Sequence, residues 1–220
     1  MPSSTEQRPY VHEMVVVHRL FRRESDLLPR IVRAIPEHDA EAVARTADAI
    51  ARYVGGLHNH HAVEDELVWP KLWERVGTAA YSQQMEKQHA AIDASLVAVG
   101  STLGAWRASG ARPEAEALAD ALDAHSGCLV EHLDDEEALA LPQISEHLTV
   151  EEWNMVGARG LEGIPRNRLL LALGAILEDA TPAEAAFFLG KVPLAGRLLW
   201  RISGRRQYAA RVRVLRGPIL

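Results

Sequence analysis

The sequence predicts an all-α fold, an up-down four-helix bundle with a C-terminal helical appendage. Three observations carry this. Ala and Leu abound and aromatic residues make up only 5% of the 220 residues, a composition that favours helices over strands. Apolar residues recur over long stretches at helical rather than alternating spacing. The chain also repeats itself: His60 to Pro70, HHAVEDELVWP, has a second copy at His132 to Pro142, HLDDEEALALP, 72 residues on. In each copy a His is followed four residues later by a Glu (Glu64, Glu136) and ten residues later by the Pro. A lone His precedes each copy, His18 by 42 residues and His89 by 43. Each of the two units is long enough for a helical hairpin, and two hairpins make a four-helix bundle.

The elements follow in order. The first nine residues read as a disordered lead-in. A helix is expected from about Val11 to Ile35, with Met14, Val17, Phe21, Leu28 and Ile31 on one stripe and His18 among them. Pro29 predicts a kink in it and Pro36 a break after it. A second helix starts at Asp39, a suitable N-cap, and runs to about Trp69. Gly55 and Gly56 within it either bend the helix or admit a neighbour. Residues 70–78 read as a short connection. The third helix spans about Ala79 to Ala108 and carries His89, Ile92, Leu96, Val99 and Leu103. After a turn at 109–116, with Pro113 near the first helical position, the fourth runs to about Leu141 and ends at Pro142. Capping boxes at Thr149 to Glu152 and Thr181 to Glu184 open helices in the tail. From about Pro165 the tail reads as three or four short helices broken by Gly190, Pro193 and Gly204.

The repeat carries the chemistry. Positions i and i+4 share a helix face, so each copy sets an imidazole beside a carboxylate, a metal-ligand pair. One such pair on an exposed helix is usually solvated. Its repetition, with a matching lone His before each copy, favours ligands. Four imidazoles and two carboxylates suit iron, manganese or zinc. His61 either flanks the site or turns away from it, and His58 is expected in solvent. Asp65 and Glu66 are either surface charges or supports for the ligand residues. Tyr53 and His125, related by the same 72-residue offset, either support the ligand residues or pack helices. Cys128 shares a face with His132 and Glu136, and it either lines the site or fills the core as a structural cysteine.

The doubled His-x-x-x-Glu-x5-Pro signature with His18 and His89 resembles the haemerythrin-like (HHE cation-binding) family over roughly residues 10–148, leaving 149–220 as a basic extension packed on the bundle or on a partner. The resemblance implies a bundle of haemerythrin type holding two non-haem iron ions, open to an oxo bridge. The ligands it implies are His18, His60, Glu64, His89, His132 and Glu136, with the two glutamates bridging. The family pattern places a second His four residues from the third-helix one. Here those positions are Met85 and Asp93, so one histidine is absent, and Asp93 either supplies a substitute oxygen or faces solvent. Oxygen carriers of the family use five histidines and keep one vacancy. Four would leave more, which points to redox reactivity or sensing rather than storage.

Charge divides the chain. From Gly157 onward there are 11 Lys and Arg against 4 Asp and Glu, although the whole carries −6. The basic run RISGRRQYAARVRVLR is expected to dock on the acidic bundle, the alternatives being an anionic surface or nucleic acid. A single cysteine excludes an internal disulfide, and no apolar signal core is present. A cytoplasmic setting is expected, with neither membrane nor nucleic acid expected as a partner and a homodimer through the extension left open. No Gly-rich phosphate loop, Ser-His-Asp logic or CxxC pair occurs. Three function classes remain: a di-iron protein that binds or senses dioxygen, peroxide or nitric oxide; a di-iron oxidase, ferroxidase or peroxide-decomposing enzyme, for which Glu86 to His89 is the one Glu-x-x-His in register; and a metal-stabilised regulatory protein. Whether the chain is an enzyme stays open at this level.

Overall fold

The structure, a computed structural model, describes residues 8–77 and 80–219. The expected lead-in falls largely on residues 1–7 and the expected start of the third helix on Ala79, both outside the described residues. Among the described residues there is no strand. The bundle consists of α1 (His12–Ala34), α2 (Ala40–Leu67), α4 (Ala80–Ser109) and α5 (Arg112–Asp135), with a short α3 (Trp69–Val76) between the second and third of these. Each long helix packs on two others, in the ring α1, α2, α4, α5. Short connections between successive members make neighbours antiparallel.

Local chemistry sets the boundaries. Asp39 caps α2 by accepting from the Ala42 backbone N–H. The turn into α5 needs a left-handed residue, and Gly110 supplies it at φ 64, where a Cβ would lie 3.3 Å from the His38 backbone. The His38 N–H in turn donates to the Gly110 carbonyl, tying the two loops at this end together. α1 passes through Pro29, which is buried, without a break in the helix. Gly55 has no atom within 4 Å of an added Cβ, while at Gly56 the Phe21 ring of α1 comes within 3.9 Å of one, so α1 meets the pair at its second glycine.

The two signature prolines begin helices rather than ending them. Pro70 sits in the first turn of α3, and Pro142 in the first turn of α6 (Leu141–His147). The first helical turn has no N–H to lose there. Residues 70–78 are therefore mostly helix, not a bare connection. Between α5 and α6 the chain widens into a π turn, Glu136–Ala140, so the helical path continues past Leu141. α3 and α6 pack on each other and close this end of the bundle.

Two apolar clusters result. One fills the bundle towards the α4–α5 turn and includes Phe21, Leu28, Ile31, Ile50, Leu57, Trp106, Leu118 and Leu122. The other, under α3 and α6, includes Met14, Val63, Trp69, Leu72, Met85, Leu141 and Ile144. Every signature His and Glu lies, in register, between them, which keeps bulk water from the site and strengthens electrostatic interactions inside it.

The C-terminal segment follows as α7 (Val150–Glu162), α8 (Leu169–Leu177), α9 (Pro182–Lys191), α10 (Leu194–Leu199) and α11 (Arg205–Arg216), with a π turn at Trp200–Gly204. Both capping boxes are formed. The segment lies on the bundle through ion pairs to α1. Glu184 takes Arg19 in a two-pronged contact and His12 at 2.6 Å. Arg216 reaches Glu24 and Glu178, and Arg23 holds Asp179. No described helix is long and apolar enough to cross a membrane.

Candidate metal centre

α1 contributes His18, α2 contributes His60, His61 and Glu64, α4 contributes His89, and α5 with its π turn contributes His132 and Glu136. Their ligand-type atoms form two groups, within each of which the atoms lie within 4.8 Å of one another: His61, Glu64, His89 and His132, and His18, His60, Glu64 and Glu136. Glu64 belongs to both. Its Oε1 is 3.2 Å from His60 Nε2 and its Oε2 is 3.7 Å from His89 Nε2. Glu136 likewise lies between the groups, 3.3 Å from His18 and 3.7 Å from His132. Glu64 thus belongs to both pockets, and Glu136 belongs to the pocket of His18 and His60 with one oxygen also towards His132.

All six sequence-expected residues converge here, and His61 joins them as a seventh. It stacks on His89 with ring centroids 4.3 Å apart and meets His132 edge-on at 5.1 Å. His60 and His61 point into different pockets because the centre of the site lies between their two directions on α2. His61 makes the fifth imidazole, so the loss of the His-x-x-x-His pair in the third helix is made good from the second. Asp93 is exposed and lies in neither group. The buried stripe of α4 runs through Met85, Ile92 and Leu96 on the other flank of His89, so Asp93 rotates into solvent. Glu86 is exposed as well, as is His58. Cys128 is half-buried against the main apolar cluster, outside both groups.

The imidazoles are held from behind. His89 Nδ1 donates to Asp65 Oδ1 at 2.9 Å, and His18 Nδ1 donates to Glu137 Oε1 at 2.9 Å. His132 Nδ1 faces Gln88 Oε1 at 3.4 Å, and Gln88 is itself held by Asp135. Arg22 bonds Glu137 and Asp134, fixing the carboxylate behind His18. A proton committed to Nδ1 leaves the Nε2 lone pair facing the pockets, as metal-ligating histidines require. The pattern is crosswise. The acid following the signature Glu of each repeat, Asp65 or Glu137, holds the lone His of the other repeat. Sequence reading missed Glu137 and Gln88. The doublets Glu64-Asp65 and Glu136-Glu137 were the available signal for Glu137, and nothing in the sequence marks Gln88.

Electrostatics suit the same purpose. Burial, with neighbouring imidazoles, pushes His60 down to about 3. Burial, with His60, His89 and His132 around it, pushes His61 down strongly. Burial lowers His132 to about 4. These rings are neutral at ordinary pH, with lone pairs free. Burial first, then Glu136 and Asp65, raises Glu64 well above the carboxylate range. Burial raises Glu136 too, but His18, His60 and His132 outweigh it and hold that carboxyl low.

The residues fit a bound cation. Ten buried atoms of these seven side chains have no hydrogen-bond partner: Nε2 of His18, His60, His89 and His132, both nitrogens of His61, and all four oxygens of Glu64 and Glu136. Buried polar groups are normally satisfied, so a convergent set of orphans needs a partner of its own, and the donor types are those of a metal site. The family described as hemerythrin HHE cation binding domain matches residues 10–144. The chain belongs to this hemerythrin HHE family. Hemerythrin-type domains bind metal cations, and the matched span contains both His/Glu groups. Comparison with curated proteins and with solved structures finds no match for the hemerythrin-like chain.

Proposed function

We propose that the bundle holds two iron ions and uses them to bind or sense dioxygen, peroxide or nitric oxide. The observation that carries this is the convergence of the ten unpartnered atoms on two adjacent pockets that share Glu64. His61, His89 and His132 would hold one ion and His18, His60 and Glu136 the other, with Glu64 available to both. Family membership favours iron over manganese or zinc. When bound, an iron pair supplies reversible redox chemistry and open positions for a small ligand. The chain's own residues set where that ligand goes. Three imidazoles serve one pocket and two the other, so the pocket of His18 and His60 is the less nitrogen-rich of the two and is the one assigned to the small ligand. Asp65, Glu137 and Gln88 keep the rings aimed, and the two apolar clusters exclude water.

The fifth imidazole removes the four-histidine argument against oxygen storage, so binding and sensing stay on equal footing here. The oxidase reading loses support, because Glu86, its one Glu-x-x-His carboxylate, is in solvent. The test is an optical spectrum of the iron-loaded, reduced protein before and after air, peroxide and nitric oxide. A discrete adduct band with one of them supports the proposal. Iron-loaded protein that reacts with none of them while keeping its fold would leave the metal a structural role.

A further inference from the structure

We infer that the last helical rod docks the protein onto an anionic lipid surface. The rod runs from Leu194 through the π turn to Arg216 without a break. Its inner face is fixed to the protein at four-residue steps. Trp200 and Gly204 are buried, and Tyr208 packs so closely on Gly174 that an added Cβ would lie 2.5 Å from its ring. Tyr208 also donates to Glu178, and Arg216 holds Glu24 and Glu178. These contacts set the roll of the rod.

The outer face combines exposed aliphatic and cationic side chains. Leu194 is 78% exposed, Leu198 57% and Ile202 62%, and these three sit at i, i+4 and i+8 on one stripe. Arg201 and Arg206 are exposed beside this stripe, Arg205 lies at the rod's edge next to Trp200 and Tyr208, and no carboxylate pairs with the three among the described residues. On the bundle face, by contrast, Arg19, Arg22, Arg23, Arg33 and Arg75 all have acidic partners. The basic run therefore divides. Arg216 anchors its far end on the bundle, and its beginning offers unpaired cations interleaved with bare aliphatic side chains.

That combination selects the occupant. Aliphatic side chains enter the acyl boundary while neighbouring guanidiniums meet lipid phosphates, the arrangement of a helix lying in a membrane interface. Nucleic acid would satisfy the arginines and leave the leucines bare. A two-fold contact with a second copy would bury the leucines but set the arginines of both copies against each other. A helix lying flat needs no membrane-spanning length, and the inference does not depend on the metal.

The test uses the full chain with vesicles of phosphatidylcholine alone and of phosphatidylcholine mixed with phosphatidylglycerol, separated by flotation. Binding to the mixed vesicles only, weakening with salt, is expected. Arg201→Gln with Arg206→Gln should weaken it by roughly 25-fold, at about fivefold per arginine near an anionic surface. Leu198→Asp with Ile202→Asp should abolish it with an unchanged circular dichroism spectrum. No retention by anionic vesicles overturns the inference, as does retention that both double variants leave intact. A concentration-dependent dimer without vesicle binding would assign the face to a second copy, and salt-sensitive capture of duplex DNA without vesicle binding would assign it to nucleic acid.

Discussion

Stripping metal from the bundle should lower its melting temperature by more than 10 °C. Ten buried ligand atoms have no protein partner. In the metal-free protein the two closest pairs, His60 with Glu64 at 3.2 Å and His18 with Glu136 at 3.3 Å, can satisfy four of them. Six remain. At about 1 kcal/mol for each buried group left unmade, the lower end of the range, the penalty is about 6 kcal/mol. That is a large part of the roughly 5–15 kcal/mol by which a domain is stable. For a chain of this size each kcal/mol moves the melting temperature by about 2–4 °C, so a fall of roughly 12–24 °C is expected. Calorimetry of iron-loaded and chelator-treated protein in one buffer measures it. Melting temperatures within about 2 °C of each other would refute the inference from unpartnered atoms to a metal site.

Other expectations are narrower. His61→Ala removes one of three imidazoles from its pocket and should leave the iron there more easily stripped by a chelator, whereas Asp93→Ala should leave iron retention unchanged; equal retention in both variants would remove His61 from the site. Tyr53→Phe deletes the hydroxyl that donates to buried His125 Nε2 at 2.7 Å, and urea denaturation should show a loss of about 1–3 kcal/mol. A change below about 0.3 kcal/mol would show that the pair is already satisfied by solvent. Arg75 hydrogen-bonds Glu152 and holds its carboxyl down to about 2 from the ordinary 4.5. A depressed carboxyl stabilises the fold above its ordinary pKa and loses that contribution as pH falls through the folded value. The stability gap between wild type and Glu152→Gln should therefore be full above pH 4.5 and shrink as pH falls towards about 2; a gap independent of pH would contradict it.

The repeat made most of the bundle legible. His18, His60, Glu64, His89, His132 and Glu136 could be placed because helical spacing and a 72-residue offset act at short range or by symmetry. The same offset pairs Tyr53 with His125, which bond each other directly. What escaped depends on tertiary placement. α3 and α6 are short helices that their prolines open, and proline in a sequence reads as a stop until the first-turn position is known. The π turn at Glu136 leaves no sequence mark. Asp93 stayed open between ligand and solvent because i+4 spacing gives two flanks, and only the position of Met85 and Ile92 against the core decides which one is buried. Gln88 acts across helices, where spacing carries no information.

The most direct measurement is the iron content of protein reconstituted with ferrous iron under anaerobic conditions, by plasma mass spectrometry, with an optical spectrum after oxidation. About two irons per chain, with oxo-to-iron charge-transfer bands and loss of metal in His18→Ala, His60→Ala, His89→Ala and His132→Ala, is the expected result. Iron-free protein after reconstitution, or iron that survives all four substitutions, would contradict a metal centre built from these residues.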